Sequence, residues 1–344
     1  MKYMRICFYS AVVISIFLCS VRTEAGVSPQ RIPQLDSLAS DISFLGYIPS
    51  GGRFTILAAY NNWFGLLTSV RLLPGDSDEM AALLMDTSGK YRYYGAAPWT
   101  PDGDMVLVTA PQYICLPSNL QPAVAVGSQA FFFIDGYELL SEPQTAIGTP
   151  NLEVFEICPD SAGRFLFNTP LKGVYWVEVM QQTSSGPSIE LLFPIIAGGT
   201  AADVFNGTMR ITGSEADSPS EVFRELNSIR HSKGIQILQP SGTLDSLASI
   251  RAENLAFSGS FSHFGLNTGS LPEILSQSIS VYGENIGRGR GYQEAWSMIL
   301  ISPFHLQTCM AEAYTHMGIS GAVETSEYEW QLVLVQVFAS GVNE

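Results

Sequence analysis

The spacing of apolar and polar positions changes near residue 212. Between about residues 40 and 205, short apolar runs rich in aromatic and β-branched residues alternate with turn clusters such as DSAG (160–163). Such alternation is typical of antiparallel strands. The clearest runs are MVLVTA (105–110), QAFFFIDGYELL (129–140) and GVYWVEVM (173–180). The pattern predicts an N-terminal all-β sandwich domain, immunoglobulin-like, over residues 26–212.

Beyond residue 212 the apolar spacing becomes helical. The acidic segment TGSEADSPSE (212–221) reads as a linker, and it ends with Ser218, Pro219 and Glu221 at the spacing of a capped helix start. Apolar positions then recur at helical spacing. Further helices are predicted at 244–259, 270–279 and 292–300, and a strand at 328–339. We therefore predict a second, α+β domain over residues 213–344.

The first 25 residues are organised like a secretory signal peptide. Basic MKYMR precedes the apolar run ICFYSAVVISIFLC, and SVRTEA then ends in the small residue Ala25. This predicts a secreted, extracellular or periplasmic protein that is not integral to a membrane, because no later segment is apolar and long enough to span one. A lipid anchor at Cys19 is the alternative, which Leu18 disfavours because a small residue is expected there.

Charge excludes one class of partner. The chain has 17 Lys and Arg residues against 32 Asp and Glu residues, a net charge of −15. Removal of residues 1–25 leaves a net charge of about −17. Nucleic-acid binding depends on basic surfaces, so we expect no nucleic-acid partner.

Cysteine usage leaves two alternatives open. Cys7 and Cys19 lie in the predicted signal peptide, and Cys115, Cys158 and Cys309 remain. Three cysteines cannot all pair within one chain. Cys115 and Cys158 fall in the same predicted domain, where a disulfide between them and two buried thiols are both compatible with the sequence.

Six short motifs follow one another in the C-terminal half. They are LNSIR (226–230), LASIRAENLAFSGSFSH (247–263), YGENIG (282–287), SPFH (302–305), YTHMGIS (314–320) and VQVF (335–338). Their order and spacing resemble the CAP superfamily of cysteine-rich secretory proteins, antigen 5 proteins and plant pathogenesis-related proteins, in its short bacterial SCP-like form. The resemblance covers about residues 218–340. It implies a three-layer α–β–α sandwich with a long groove that binds a ligand.

The resemblance also implies part of a metal site. Larger members place two histidines and two glutamates around a divalent metal, and His263 and Glu284 match the first of each. Ile299 stands where the second glutamate is expected, three residues after Trp296. The histidine that follows SP in bacterial forms is matched by His305. The residues expected in the groove are His263, Glu284, Asn285, His305 and Gln336.

His263, His305 and Glu284 suit more than one function. Two imidazoles and a carboxylate are a ligand set for zinc with an open position, which would make Glu284 the candidate base of a metal-dependent hydrolase. The same residues suit a metal-free polar groove. Because the second glutamate is missing, we expect an exported protein without assigned catalysis that binds a small molecule, a lipid, a peptide or a weakly held divalent metal. An envelope adhesin or assembly protein acting through the β-domain is the further alternative.

Overall fold

The computed structural model of the protein describes most of the chain. The described residues are 29–49, 51–61, 63, 69–74, 93–99, 103–110, 116–118, 120–183, 186–258, 263, 281–325 and 330–340. The predicted signal peptide, Cys115 and the predicted helix at 270–279 lie outside these ranges.

The chain begins with an α/β unit over residues 30–110. Its elements are β1 (Gln30–Arg31), α1 (Pro33–Leu45), α2 (Gly51–Tyr60), β2 (Ser69–Pro74), β3 (Tyr93–Pro98) and β4 (Asp104–Ala110). The sheet has the order β1-β3-β4-β2, in which β1 is parallel to β3 and the other neighbours are antiparallel. Helix α1 packs on this sheet with an apolar face of Leu35, Leu38, Ala39 and Ile42.

These helices correct the prediction of an all-β N-terminal domain. Pro33 suits the first turn of α1, and the apolar residues that follow lie at helical spacing, so burial of one helical face stabilises this segment. Gly46, in the left-handed conformation, ends the helix and donates its N–H to the Ile42 carbonyl. The strand-rich part of the chain is therefore confined to the residues that follow.

Two further sheets form the middle of the chain. Their strands are β5 (Leu116–Ser118), β6 (Ala123–Val124), β7 (Gln129–Asp135), β8 (Gln144–Gly148), β9 (Val154–Ile157), β10 (Phe165–Asn168), β11 (Gly173–Thr183) and β12 (Gly186–Ala197). The sheet orders are β10-β7-β5 and β6-β12-β11-β8-β9. The sheets share a core that includes Phe132, Phe165, Tyr175 and Phe193. An immunoglobulin-like topology for this part stays a prediction, and a short helix, α3 (Ala201–Phe205), follows it.

The C-terminal part is a three-layer α–β–α unit, as expected. Its elements are α4 (Pro219–Ser232), β13 (Gln239–Pro240), α5 (Gly242–Ser258), β14 (Val281–Gly289), α6 (Tyr292–Ile301), α7 (Pro303–Met310), β15 (His316–Thr325) and β16 (Trp330–Ser340). The sheet order is β13-β15-β16-β14, which places β14 at one edge. Within the described ranges, no helix is both long and apolar enough to span a bilayer.

Strand alternation divides the side chains of this sheet between two cores. On β16, Val333, Val335 and Val337 face α5, whereas Leu334 and Phe338 face the layer of α4, α6 and α7. On the edge strand β14, Ile286 faces α5. Glu284 shares that face by the same alternation, and Asn285 points to the opposite side.

The three parts of the chain are packed together. Ile56 of α2, Trp176 of β11 and Met298 of α6 belong to one buried apolar cluster. Next to it, Ser302 between α6 and α7 is fully buried. Polar groups from the middle sheets can therefore contact the C-terminal unit at a site that is buried from solvent.

Candidate functional site

Glu284 on the edge strand β14 is the middle of a buried polar group. Arg251 of α5 donates from Nε to Glu284 Oε2 over 2.9 Å, and His263 Nδ1 lies 2.9 Å from Glu284 Oε1. The side chains of Glu284 and Arg251 are 7% and 11% exposed, and that of His263 is 25% exposed. We call Arg251, His263, Glu284 and the neighbouring His305 the polar centre. Arg251 and His263 thus occupy the two oxygens of the Glu284 carboxylate. Of these three ion-paired residues, His263 has the most exposed side chain.

His305 approaches the polar centre from α7. The ring centroids of His263 and His305 are 6.3 Å apart. Burial, with a smaller contribution from His263, lowers the pKa of His305 to about 3. His305 is therefore a neutral imidazole near neutral pH, with one nitrogen that donates and one that accepts.

A second carboxylate, from the middle sheet, lies behind His305. Ser302 Oγ lies 2.7 Å from His305 Nδ1 and 2.8 Å from Oε1 of Glu178 on β11. The Phe304 N–H donates to Glu178 Oε2 over 2.9 Å. Burial raises the pKa of Glu178 to about 7 against the effect of these hydrogen bonds. A continuous buried row, Glu178–Ser302–His305, thus connects the middle sheet to the polar centre.

Asn285 and Gln336 do not line this centre, and their assignment as groove residues stays a prediction. Both are fully buried. Asn285 Nδ2 donates to the His305 carbonyl over 3.0 Å and to Gln336 Oε1 over 3.2 Å. They lie on the α7 side of the sheet, opposite Glu284, and their amides fix the position of α7 from behind.

Arg230, the last residue of the LNSIR motif, holds the other end of α7. Its side chain is fully buried and donates to the carbonyls of Gln236, Cys309 and Ala311 over 2.9, 2.7 and 3.0 Å. A cation at the C-terminal end of a helix satisfies the last carbonyls and opposes the negative end of the helix dipole. Arg230 therefore positions the helix that carries His305.

The cysteines have different environments. Cys309 is fully buried beside Asn285, and burial raises the pKa of its thiol well above the ordinary value, so it packs as a small apolar residue rather than as a nucleophile. Cys158 is exposed. Its predicted disulfide partner, Cys115, lies outside the described residues, so that pairing stays a prediction.

The polar centre fits a hydrogen-bonded network better than a three-ligand metal site. A metal ion bound by Glu284 would have to displace Arg251 or His263 from the carboxylate. In the part of the chain that the structure describes, no three His, Cys, Asp or Glu side chains are grouped to hold a metal ion. Ile299, at the position of the missing glutamate, is fully buried and packs against Gly287.

Three members of this arrangement were missed by sequence reasoning. Arg251 and Ser302 lie inside motifs already noted, LASIRAENL and SPFH, but the motifs alone assign them no contact. Glu178 had a clearer signal, because it is the one charged residue in the apolar run GVYWVEVM. A charge inside a buried strand needs a partner, and that requirement would have marked it.

Comparisons with known proteins address the same residues. The model of the Cysteine-rich secretory protein family (CAP) matches residues 223–338. No curated protein matches the chain. An outer surface protein from Borrelia burgdorferi is similar with 18% identity and a TM-score of 0.32, over 38% of this chain and 99% of that one.

Two further solved structures cover more of this chain. An extracellular protein containing a SCP domain, from Bacillus anthracis, is similar with 14% identity and a TM-score of 0.29, over 64% of this chain and 68% of that one. A cysteine-rich secretory protein from Staphylococcus aureus has 15% identity and a TM-score of 0.29, over 61% of this chain and 75% of that one.

Proposed function

We propose that the C-terminal domain, which the model of the Cysteine-rich secretory protein family matches over residues 223–338, binds a ligand at His263 without performing catalysis. The observation that supports this most is the chain of contacts Arg251–Glu284–His263. An ionised carboxylate only accepts, so the nitrogen of His263 beside Glu284 carries the proton and Nε2 carries the lone pair. His263 then offers an acceptor to a ligand hydroxyl or amide N–H, or a lone pair to a weakly held metal ion.

The ion pair argues against Glu284 as a catalytic base. A general base must be able to take a proton at the reacting group, and both oxygens of Glu284 are already in contact, Oε2 with the Arg251 guanidinium and Oε1 with His263. Glu284 instead orients His263, as carboxylates commonly do for a histidine that contacts a ligand. The ligand classes that we propose are a small molecule, a lipid or a peptide.

A metal-dependent hydrolase is the second candidate. It is favoured by the 6.3 Å separation of the His263 and His305 rings, which is short enough for both to approach one ion. This function would require a rearrangement in which Glu284 leaves Arg251. The two candidates therefore differ in the affinity for metal that they predict.

Titration of the full chain with two separate probes distinguishes these candidates. We expect a fluorescent fatty acid or a zinc salt to bind weakly, and His263→Ala to weaken that binding about tenfold or more. His231→Ala, at an exposed histidine of α4, is the matched control and should bind as the wild type does. Binding that is unchanged in His263→Ala, or absent for both probes in the wild type, contradicts the proposal. Tight uptake of one zinc ion per chain with hydrolytic activity supports the second candidate.

Export is part of the same proposal. It is supported by the signal-peptide organisation of residues 1–25. We expect the mature protein outside the cytoplasm with Gly26 at its N-terminus. Cell fractionation followed by N-terminal sequencing checks this, and a lipid-modified Cys19 as the first residue would replace secretion with anchoring.

A further inference from the structure

We propose that Glu178 and Ser302 are positioning residues that hold His305 in the tautomer with the proton on Nδ1. The middle β-sheet thereby completes a site that otherwise belongs to the CAP domain. The role of this tautomer in ligand binding rests on the proposed function. The tautomer itself does not, because it follows from hydrogen bonds inside the protein.

The hydrogen bonds of Ser302 determine which nitrogen of His305 carries the proton. Ser302 has one hydroxyl hydrogen, and its Oγ lies 2.8 and 2.9 Å from the two oxygens of Glu178. Ionised Glu178 can only accept, so the Ser302 hydroxyl donates to it. The short contact of 2.7 Å between Ser302 Oγ and His305 Nδ1 then requires the imidazole to donate. The lone pair of His305 is therefore on Nε2.

A hydrogen-bond donor in place of the Glu178 carboxylate would reverse the direction of the hydrogen bonds from His305 through Ser302 to residue 178. In Glu178→Gln, the amide oxygen can keep the hydrogen bond from the Phe304 N–H, which leaves the amide N–H to face Ser302 Oγ. The Ser302 hydroxyl hydrogen is then available to His305 Nδ1. A neutral imidazole that accepts at Nδ1 carries its proton on Nε2.

Nitrogen-15 NMR of the histidine side chains tests the proposal on the full chain without any ligand. At about pH 8.5, above the pKa of Glu178 of about 7, we expect His305 as the Nδ1–H tautomer in the wild type and a shift towards Nε2–H in Glu178→Gln. Glu190→Gln is the matched control, because Glu190 is also buried in the same sheet and accepts from Gln181 Nε2. It should leave His305 as in the wild type.

An Nε2–H ring in the wild type, or the same tautomer in wild type and Glu178→Gln, would overturn the assignment. The wild-type spectrum decides this even if Glu178→Gln does not fold. Failure of the tautomer is also separate from failure of the proposed function, because the binding of the fatty acid and of zinc is measured on the wild type.

A different observation supports a second inference: residues 30–110 are another copy of the fold formed by residues 239–340. The six residues LDSLAS occur at 35–40 and again at 244–249, each time near the start of a helix that follows a two-residue strand. The sheet orders β1-β3-β4-β2 and β13-β15-β16-β14 correspond strand for strand, with the same parallel and antiparallel pairs.

The same backbone contact joins helix and sheet in both copies. A Cβ atom at Gly95 would lie 2.0 Å from the backbone carbon of Leu35, and one at Gly318 would lie 2.0 Å from that of Leu244. Only glycine permits so close an approach. One residue further on, Asp36 Oδ1 accepts the Ala96 N–H and Asp245 Oδ1 accepts the Ile319 N–H, both over 2.9 Å.

The glycine contacts align the two copies and identify the residues of the first copy that correspond to Arg251 and Glu284. Arg251 lies seven residues after Leu244, and Ile42 lies seven residues after Leu35. Glu284 pairs with the β16 residue opposite Gly318, and Val70 pairs with the β4 residue opposite Gly95. The positions of the ion pair are thus apolar in the first copy.

Hydrogen exchange of the full chain with paired glycine variants tests the second inference. Gly95→Ala should speed amide exchange in α1 and β3 about tenfold or more, as Gly318→Ala should in α5 and β15. Gly242→Ala is the control, because a Cβ there meets no atom within 4 Å. Unchanged exchange in α1 and β3 of Gly95→Ala would overturn it. If these variants do not fold, Asp36→Ala and Asp245→Ala test the adjacent hydrogen bonds to the Ala96 and Ile319 N–H groups instead.

Discussion

The units at residues 30–110 and 239–340 have the same sheet order and the same helix-to-strand contact, yet the two positions that hold the Arg251–Glu284 ion pair in the second are apolar in the first. What they share is glycine and aspartate at the point where a helix crosses a strand. What separates them is an ion pair in one and two apolar residues in the other. The scaffold and the site are therefore specified by different residues, and each can be altered without the other.

The C-terminal unit also has elements that supply the rest of the site. Helix α7 carries His305, and Arg230 of α4 holds the C-terminal end of α7. Glu178 comes from the middle sheet. The polar centre thus depends on contacts that the shared strands and helix do not provide. Variants at these contacts should affect the C-terminal unit and not the unit at residues 30–110.

The largest effect is expected at Arg230, which has a role in the C-terminal unit alone. Arg230→Met leaves the carbonyls of Gln236, Cys309, Ala311 and Tyr314 without this donor, and we expect a loss of about 3–5 kcal/mol in the free energy of unfolding. Arg224→Met on the same helix removes an exposed ion pair with Glu221 and should cost under about 1 kcal/mol. Equal losses in chemical denaturation of the two variants would show that Arg230 does not fix α7.

Glu178→Gln should change how stability depends on pH. The folded pKa of Glu178 is about 7 against 4.5 when unfolded, so its contribution is fully present below pH 4.5 and is lost as the pH rises through 7. The variant cannot ionise, so its unfolding free energy should gain about 3 kcal/mol relative to wild type across that window. His305 titrates in both proteins and cancels in the difference. A difference that does not vary with pH would contradict an ionising Glu178.

A smaller and similar effect is expected in both units from their shared aspartates. Asp36→Ala and Asp245→Ala each remove one hydrogen bond from a strand N–H, at a cost of about 1–3 kcal/mol, and Asp36→Ala also removes an exposed ion pair with Arg31 that is worth under about 1 kcal/mol. Denaturation curves of the two single variants and the double variant check this. Because the sites are in separate units, the two losses should add. A loss of unfolding free energy in only one of the two single variants would show that the aspartate does not have the same role in both units.

Local patterns account for what the sequence predicted correctly. Ser218 and Pro219 mark the start of α4, and helical spacing predicted α5 and α6 within a few residues. Helix α1 was missed because its surroundings read as strands, although LDSLAS is repeated in a segment predicted to be helical. The repeat was the available signal.

The candidate site was predictable only in part. His263, Glu284 and His305 followed from the resemblance of ordered motifs, and the structure brings all three together. The partners that define their chemistry are distant in sequence: Glu178 and Ser302 are 124 residues apart. Periodicity does not report such contacts, because they depend on how separate sheets and helices pack.

The Arg251–Glu284 ion pair can be replaced by the apolar residues at the corresponding positions of the first copy, Ile42 and Val70. This replacement tests whether the ion pair specifies the site but not the scaffold. In the double variant Arg251→Ile, Glu284→Val, two apolar residues replace a nearly buried ion pair, so we predict an unfolding free energy within about 1 kcal/mol of the wild type. Either single change removes only one charge of this ion pair from a nearly buried site and should cost about 3 kcal/mol.

The decisive measurement is probe binding by that double variant. We predict a folded protein in which binding of the fatty acid or zinc probe is weakened about tenfold or more, because His263 has lost the carboxylate that orients it. Wild-type binding by the folded double variant would contradict the assignment of the polar centre as the site.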